Sequence, residues 1–198
     1  VAKLYFRHGT MSSGKTLILL AVAHAYEQQG KRVLLLKPSL DTRFRKEIVR
    51  SRAGLERDAD VLVDGESTLT PTLLEGIHCL LVDEAQFLPP AFVEHLRDVT
   101  LRFDVPILCY GLRTDFQTRL FPGSQRLMEL ADSIEEVKTT CHTCNRKAVF
   151  NMRLQGGVAT LAGAQVELGL EDKYQSACAR CYQRQLQGKG TNGRFISG

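Results

Sequence analysis

Residues Gly9-Thr10-Met11-Ser12-Ser13-Gly14-Lys15-Thr16 match the spacing G-x-x-x-x-G-K-[ST] of a phosphate-binding loop. The pattern carries meaning only between a strand and a helix, and both flanks are present. Leu4-Tyr5-Phe6 reads as a strand, and residues 15 to 29 read as a helix whose apolar run Leu17–Ala23 predicts burial, with Gly30 as its stop. Gly9 and Gly14 let successive backbone N–H groups turn inward, and the helix N-terminus adds partial positive charge. Lys15 is placed to reach the terminal phosphates of a nucleoside triphosphate, and the Thr16 hydroxyl to hold Mg²⁺. A Gly/Ser turn that happens to contain a lysine is the plainer alternative, and it leaves the flanking strand and helix unexplained.

The rest of the first 138 residues repeats the same alternation. Val33-Leu34-Leu35-Leu36, ended by Lys37-Pro38, Val61-Leu62-Val63, Ile77–Val82 and Val105–Tyr110 are short continuous apolar runs, the mark of strands buried on both faces. Helical spacing recurs over Phe92–Arg97, with Pro89 and Pro90 at its start, and near Gln125 to Leu130; a strand near Ile134 to Val137 follows. Strands alternating with helices imply a parallel sheet with right-handed crossovers. The basic stretch from Asp41 through Arg50 and Arg52 lacks periodicity and reads as a solvated loop, although its place after a strand leaves a role near the triphosphate open.

The strand Ile77–Val82 ends in Asp83-Glu84. Asp83 is placed as the acidic partner of the phosphate loop, touching Mg²⁺ directly or through water. Neighbouring side chains on a straight strand face opposite ways, so both acids can serve one site only where the strand gives way to a loop. Glu84 then becomes a candidate general base. This pair does not choose between water and a substrate hydroxyl as nucleophile.

After Lys138 the texture changes to cysteine pairs, short β-like pieces and Gly-rich connections. Cys141-His142-Thr143-Cys144 and Cys178-Ala179-Arg180-Cys181 are C-x-x-C pairs separated by 33 residues. Four thiolates in two such pairs make a closed, structural Zn²⁺ site. His142 is a spare ligand candidate, and Cys79 and Cys109, inside apolar strands, read as inert buried thiols. The tail from Gly188 carries too little apolar surface to pack and reads as disordered. A net charge of +4 suits anionic nucleotides but does not argue for nucleic acid, and Arg146, Lys147, Arg180 and Arg184 are scattered. No stretch is long and apolar enough to cross a bilayer, and the first residues lack a secretory signal, so the cytoplasm is the expected compartment.

Taken together, these residues resemble the type II thymidine kinases, the zinc-containing P-loop deoxynucleoside kinases, and the bacterial members in particular. The resemblance rests on Gly9–Thr16, Asp41-Thr42-Arg43, Asp83-Glu84-Ala85-Gln86-Phe87, Tyr110–Phe116, the first cysteine pair and Asp172–Cys178, and it runs to about Gln187. It implies an α/β fold: a RecA-like P-loop parallel-sheet domain over residues 1–138, then a small zinc-binding, β-rich domain over 139–187 that carries a lasso loop, then a tail over 188–198. It implies transfer of the γ-phosphate of ATP to the 5′-hydroxyl of thymidine, with Mg²⁺ and structural Zn²⁺. Carried over by position, Glu84 is the general base, Lys15 binds phosphate, and Arg43 stabilises transition-state charge. Nucleotide binding extends over Gly9, Thr10, Met11, Ser12, Ser13, Gly14, Lys15 and Thr16 and over Asp83, Glu84, Ala85 and Gln86, with Thr16 and Asp83 on Mg²⁺. Met11, Phe87, Leu112, Phe116, Gln165, Val166, Glu167, Leu168 and Tyr174 line the nucleoside pocket. The residues alone favour a core role for Leu112.

Where the family's lasso commonly reads Ile-Gly-Gly, this chain has Leu168-Gly169-Leu170, and leucine takes positive φ less cheaply than glycine. The resemblance also implies a homotetramer, feedback inhibition by thymidine triphosphate, no stable nucleic-acid binding, and a zinc site whose loss disables nucleoside binding while sparing the phosphate residues. A P-loop ATPase with a nucleic-acid-binding zinc ribbon and a nucleotide-gated interaction module are the competing readings.

Overall fold

The computed structural model describes residues 1–40, 47–165 and 173–188. Its strands, in chain order, are β1 (Leu4–His8), β2 (Arg32–Pro38), β3 (Ile48–Arg50), β4 (Glu56–Asp58), β5 (Val61–Val63), β6 (Ile77–Val82), β7 (Ile107–Gly111), β8 (Ser133–Glu136), β9 (Phe150–Gln155), β10 (Val158–Thr160) and β11 (Tyr174–Ala177). The helices are α1 (Lys15–Gln28), α2 (Pro71–Leu74), α3 (Pro90–Phe103), α4 (Pro122–Leu130) and α5 (Ala179–Leu186), with a 3-10 turn over Ala85–Phe87.

The apolar runs form strands of one six-stranded sheet, ordered β5-β2-β6-β7-β1-β8 and parallel throughout. Side chains divide between its faces with period two. Leu34, Leu36, Leu80, Val82, Ile107 and Cys109 pack with Leu96 of α3 and Leu127 of α4, whereas Leu35, Cys79, Leu81, Leu108 and Tyr110 pack with Leu19, Leu20 and Ala23 of α1. Burial on both faces is why these strands read as unbroken apolar runs. β7 lies between the strand that feeds the phosphate loop and the strand that ends at Asp83, and all of these strands point the same way. Their C-terminal ends therefore share one edge, where ligands of open parallel sheets bind.

A separate antiparallel sheet, β10-β9-β11, carries α5 on a small cluster of Met152, Ala177, Tyr182 and three cysteines. Among the described residues no helix is long and apolar enough to cross a membrane.

Three local expectations are corrected. The stretch through Arg50 and Arg52 is not a solvated loop throughout: β3 and β4 form an antiparallel hairpin, and Val49 packs with Leu35 and Tyr110. One buried valine among charges leaves no periodicity to read. Lys37-Pro38 does not break β2, which pairs through Pro38 with Val63; there the Lys37 side chain is buried and its Nζ donates to Ile48 O at 2.9 Å. Helix α1 is buried on one face only, and Leu17 and Ile18 are each 37% exposed. The tail beyond Gly188 lies outside the described residues.

The turn after β6 packs closely on α4. A Cβ on Gly123 would lie 2.6, 2.8 and 2.9 Å from the carbonyl oxygens of Leu88, Ala85 and Gln86, none of which can swing aside. Gly123→Ala is therefore expected to destabilise the protein by about 1–3 kcal/mol, the usual range for overpacking, read as a lower thermal midpoint. An unchanged midpoint would show that the two elements are not held this tightly.

Candidate active site

The phosphate loop has the backbone that its glycines permit. Gly14 caps α1 in the left-handed region at φ 86°. Gly9 has no room for a side chain, since a Cβ there would lie 2.5 Å from both Ser13 Oγ and Val137 O. Lys15 is buried, and its ammonium donates to Thr10 O at 2.8 Å and Gly9 O at 3.2 Å, so its charge sits inside the cradle. Thr16 Oγ1 lies 3.2 Å from each oxygen of Asp83, which brings the two expected Mg²⁺ ligands together across the sheet edge. A hydroxyl and a carboxylate are hard oxygen donors of the kind Mg²⁺ prefers, so these residues fit the ion. Thr10 Oγ1 is buried and has no hydrogen-bond partner among the described residues.

At Glu84 the strand gives way abruptly. This residue adopts φ 50° and ψ 39°, a left-handed conformation uncommon for a side chain of its size. The reversal breaks the strand's alternation between Asp83 and Glu84. Both are largely buried, and Glu84 Oε2 accepts a hydrogen bond from Gln86 Nε2. Gln86 Oε1 in turn accepts from Leu112 N at 2.9 Å. Ala85 and Gln86 thus belong to the turn that shapes the acidic strand end.

The expected nucleoside-pocket residues are distributed around the same edge. Phe87 stacks edge-on with Phe121 at 5.7 Å between ring centroids, and Phe116 with Tyr174 at 6.2 Å. Arg153 lies over Phe116 at 5.2 Å. Gln165 Nε2 donates to Asp115 Oδ2 at 2.9 Å, which ties the start of the lasso segment to the exit of β7. Leu112 is half-buried and belongs to none of the three hydrophobic clusters, contrary to a core role. Asp41, Arg43, Val166, Glu167, Leu168 and Leu170 lie outside the described residues.

The four paired cysteines converge. Their Sγ atoms all lie within 4.8 Å of one another, and Cys144 Sγ is 3.7 Å from both Cys178 Sγ and Cys181 Sγ. Tetrahedral Zn²⁺ with bonds of about 2.3 Å places its sulfurs about 3.8 Å apart, so the donor set fits the metal. Cys141 N donates to Arg146 O, closing a tight turn around the first pair, and Cys178 caps α5. Burial pushes the Cys141 thiol up, but backbone hydrogen bonds from Cys178, Thr143 and Cys144 outweigh it and bring it to about 7. Cys181 is pushed up to about 12, first by desolvation and then by the neighbouring thiols. His142 is not part of the cluster. Cys79 and Cys109 are buried away from it, and desolvation raises both thiols, Cys79 to about 11.

Several contacts had no signal in the sequence pattern. Met11 of the phosphate loop is held on both sides by the second sheet: its N–H donates to Asn151 Oδ1 of β9 at 2.8 Å, and its carbonyl accepts from Ser176 Oγ of β11 at 2.6 Å. Asn151, which is 4% exposed, also donates from Nδ2 to Thr114 O. Tyr182 of α5 donates from its hydroxyl to Phe116 O, beside the Phe116–Tyr174 ring pair. The cysteine-bearing unit is thereby joined to the phosphate loop as well as to the aromatic wall. Arg52, from the corrected β3–β4 region, donates from Nη1 to Ser12 Oγ at 2.7 Å and brings a further cation to the loop.

A phosphate loop facing an acidic strand end across the edge of a parallel sheet is the arrangement of a P-loop nucleotide-binding protein. The family model "Thymidine kinase" matches residues 2–182, and the chain belongs to the thymidine kinase family. It is 42% identical over 184 residues to thymidine kinase of Streptococcus gordonii, covering 92% of this chain and 96% of that one. It is 42% identical to the Streptococcus thermophilus thymidine kinase (91% and 93% covered) and 41% identical to that of Streptococcus pyogenes (92% and 97%). The Pif1 helicase of Candida albicans overlays 69% of this chain and 36% of its own at a TM-score of 0.43 and 11% identity, a likeness too slight to bear on fold or function.

Asn151→Leu keeps the side chain's approximate volume but removes the acceptor from Met11 N–H. Leaving that donor without its partner costs about 1–3 kcal/mol, so the affinity for a non-hydrolysable ATP analogue is expected to fall about 5- to 150-fold by calorimetry. Wild-type affinity would show that the second sheet does not set the phosphate loop.

Proposed function

We propose that the chain is a thymidine kinase, passing the γ-phosphoryl group of ATP to the 5′-hydroxyl of thymidine. The observation that supports this reading most is the left-handed turn at Glu84, directly after an Asp83 that lies against Thr16 of the phosphate loop. Lys15 and the N-terminus of α1 hold and neutralise the phosphates. The Glu84 carboxylate accepts the proton as the 5′-oxygen attacks phosphorus in line and the bond to the β,γ-bridging oxygen breaks, with ADP leaving. Thr16 and Asp83 would hold Mg²⁺, which supplies charge neutralisation at the phosphates. Arg43 is assigned to transition-state charge by the resemblance alone. Phe87, Phe116 and Tyr174 offer flat apolar walls to the pyrimidine, and Met11 and Leu112 contribute beside them. Val166, Glu167 and Leu168 are proposed to complete the pocket from the lasso, with Gln165 anchoring it.

The four cysteines are proposed to bind one structural Zn²⁺ that pins both ends of the lasso segment. Family membership also supports a cytoplasmic homotetramer inhibited by thymidine triphosphate. Division into a nucleotide-binding domain over 1–138 and a zinc-binding domain over 139–187 accords with the separate sheets.

ADP release is expected to require thymidine. Glu84→Gln should lower the turnover number by about 10²- to 10⁴-fold while ATP affinity stays within about threefold. Substantial ADP release without nucleoside and stimulated by DNA would favour the ATPase reading instead, and nucleotide binding with no turnover at all would favour an interaction module.

Metal analysis should find one Zn²⁺ per chain in the wild type and none in Cys144→Ser. Stripping the metal with a chelator should weaken thymidine binding and, through the Met11 contacts, ATP binding too. Full ATP affinity in the stripped protein would show that the two sheets are mechanically independent.

A further inference from the structure

We propose that Gln86 is a positioning residue for Glu84 and couples the proposed base to the nucleoside wall at Leu112; this rests on reading Glu84 as the base. The resemblance groups Gln86 with the nucleotide-binding residues. Its side chain is instead buried, 1% exposed, with both ends of the amide engaged inside the protein. Oε1 accepts from Leu112 N at 2.9 Å, and Nε2 donates to Glu84 Oε2.

The orientation of this amide follows from its partners. Leu112 N–H can only donate, so the amide oxygen must face it, and the NH₂ group is left for the carboxylate. Leu112 is itself fixed from the other side, because its carbonyl accepts from Ser124 Oγ of α4. Close approach of the two strand exits requires the missing side chain at Gly111, where a Cβ would lie 2.7 Å from Gln86 Oε1.

Glu84 needs such a support. In its left-handed conformation the pleat of β6 no longer dictates where the side chain points. The buried Gln86 amide holds one carboxylate oxygen, using the main chain of the expected thymine-side wall as its reference. A nucleoside seated against Leu112 is thereby registered against the carboxylate that must accept its proton.

The experiment is steady-state kinetics with ATP and thymidine on Gln86→Met, which removes both bonds, and Gln86→Glu, which keeps an acceptor for Leu112 N–H but sets an oxygen against Glu84. A misplaced catalytic group costs about 10²-fold per ångström, so Gln86→Met is expected to lower the turnover number by about 10- to 100-fold, and Gln86→Glu at least as much. ATP affinity by calorimetry should stay within about threefold. Groups that act as one unit are non-additive, so Glu84→Gln combined with Gln86→Met should be no slower than Glu84→Gln alone. Should the Met variant fail to fold, by its thermal midpoint, the Glu variant carries the same comparison.

A raised ATP dissociation constant with an unchanged turnover number would make Gln86 a nucleotide contact and overturn the proposal. Multiplicative losses in the double variant, or wild-type turnover in both single variants, would overturn it as well. Wild-type turnover in Glu84→Gln would instead remove the base reading itself, and this proposal with it.

Discussion

The molecule depends on the contact between the phosphate loop and the strand end two strands away. Thr16, at the start of α1, reaches Asp83 at the end of β6, and the inserted β7 keeps both at one edge of the sheet. The two meet there because the sheet is wholly parallel, so every strand delivers its C-terminal end to the same side. Burial of both faces gives the frame its rigidity. That regularity stops at Gly9, Glu84 and Leu112, the positions at which the proposed chemistry is centred.

Around this edge the chain uses main-chain groups as fixed points. Met11 is gripped through its N–H and carbonyl by Asn151 and Ser176, and Leu112 through its N–H and carbonyl by Gln86 and Ser124. A charge-bearing or aromatic side chain placed on such a backbone has little freedom left to lose when a substrate arrives, which is what positioning for an in-line transfer requires. The cysteine cluster extends the same logic. It holds the base of a small sheet whose own core is slight, and that sheet reaches across to the phosphate loop.

Much of the frame was legible in the sequence for a physical reason. Strands such as Leu34–Leu36 and Leu80–Val82 are apolar on both faces, and the G-x-x-x-x-G-K-T spacing is intolerant of substitution in a loop that must present N–H groups inward. The paired cysteines were readable because metal geometry demands short spacing. What escaped was whatever depends on tertiary pairing. The β3–β4 hairpin has one buried residue, Val49, among charges. Asn151 and Ser176 are ordinary polar residues of short strands, and nothing local marks them as partners of Met11, 140 and 165 residues away. Gln86 could be picked out by resemblance, but its role lies in a bond to a main-chain group 26 residues on. Leu17 and Ile18 show the converse, where an apolar run predicted more burial than a one-faced helix provides.

The position of the Glu84 carboxylate decides the mechanism, and a crystal structure of the protein with thymidine, Mg²⁺ and a non-hydrolysable ATP analogue measures it directly. The predicted result is a Glu84 carboxylate oxygen within about 2.6–3.2 Å of the thymidine 5′-oxygen, the reach of a general base, with that oxygen in line with the γ-phosphorus. A 5′-oxygen bonded elsewhere, with the Glu84 carboxylate turned to bulk solvent in the liganded enzyme, would contradict it.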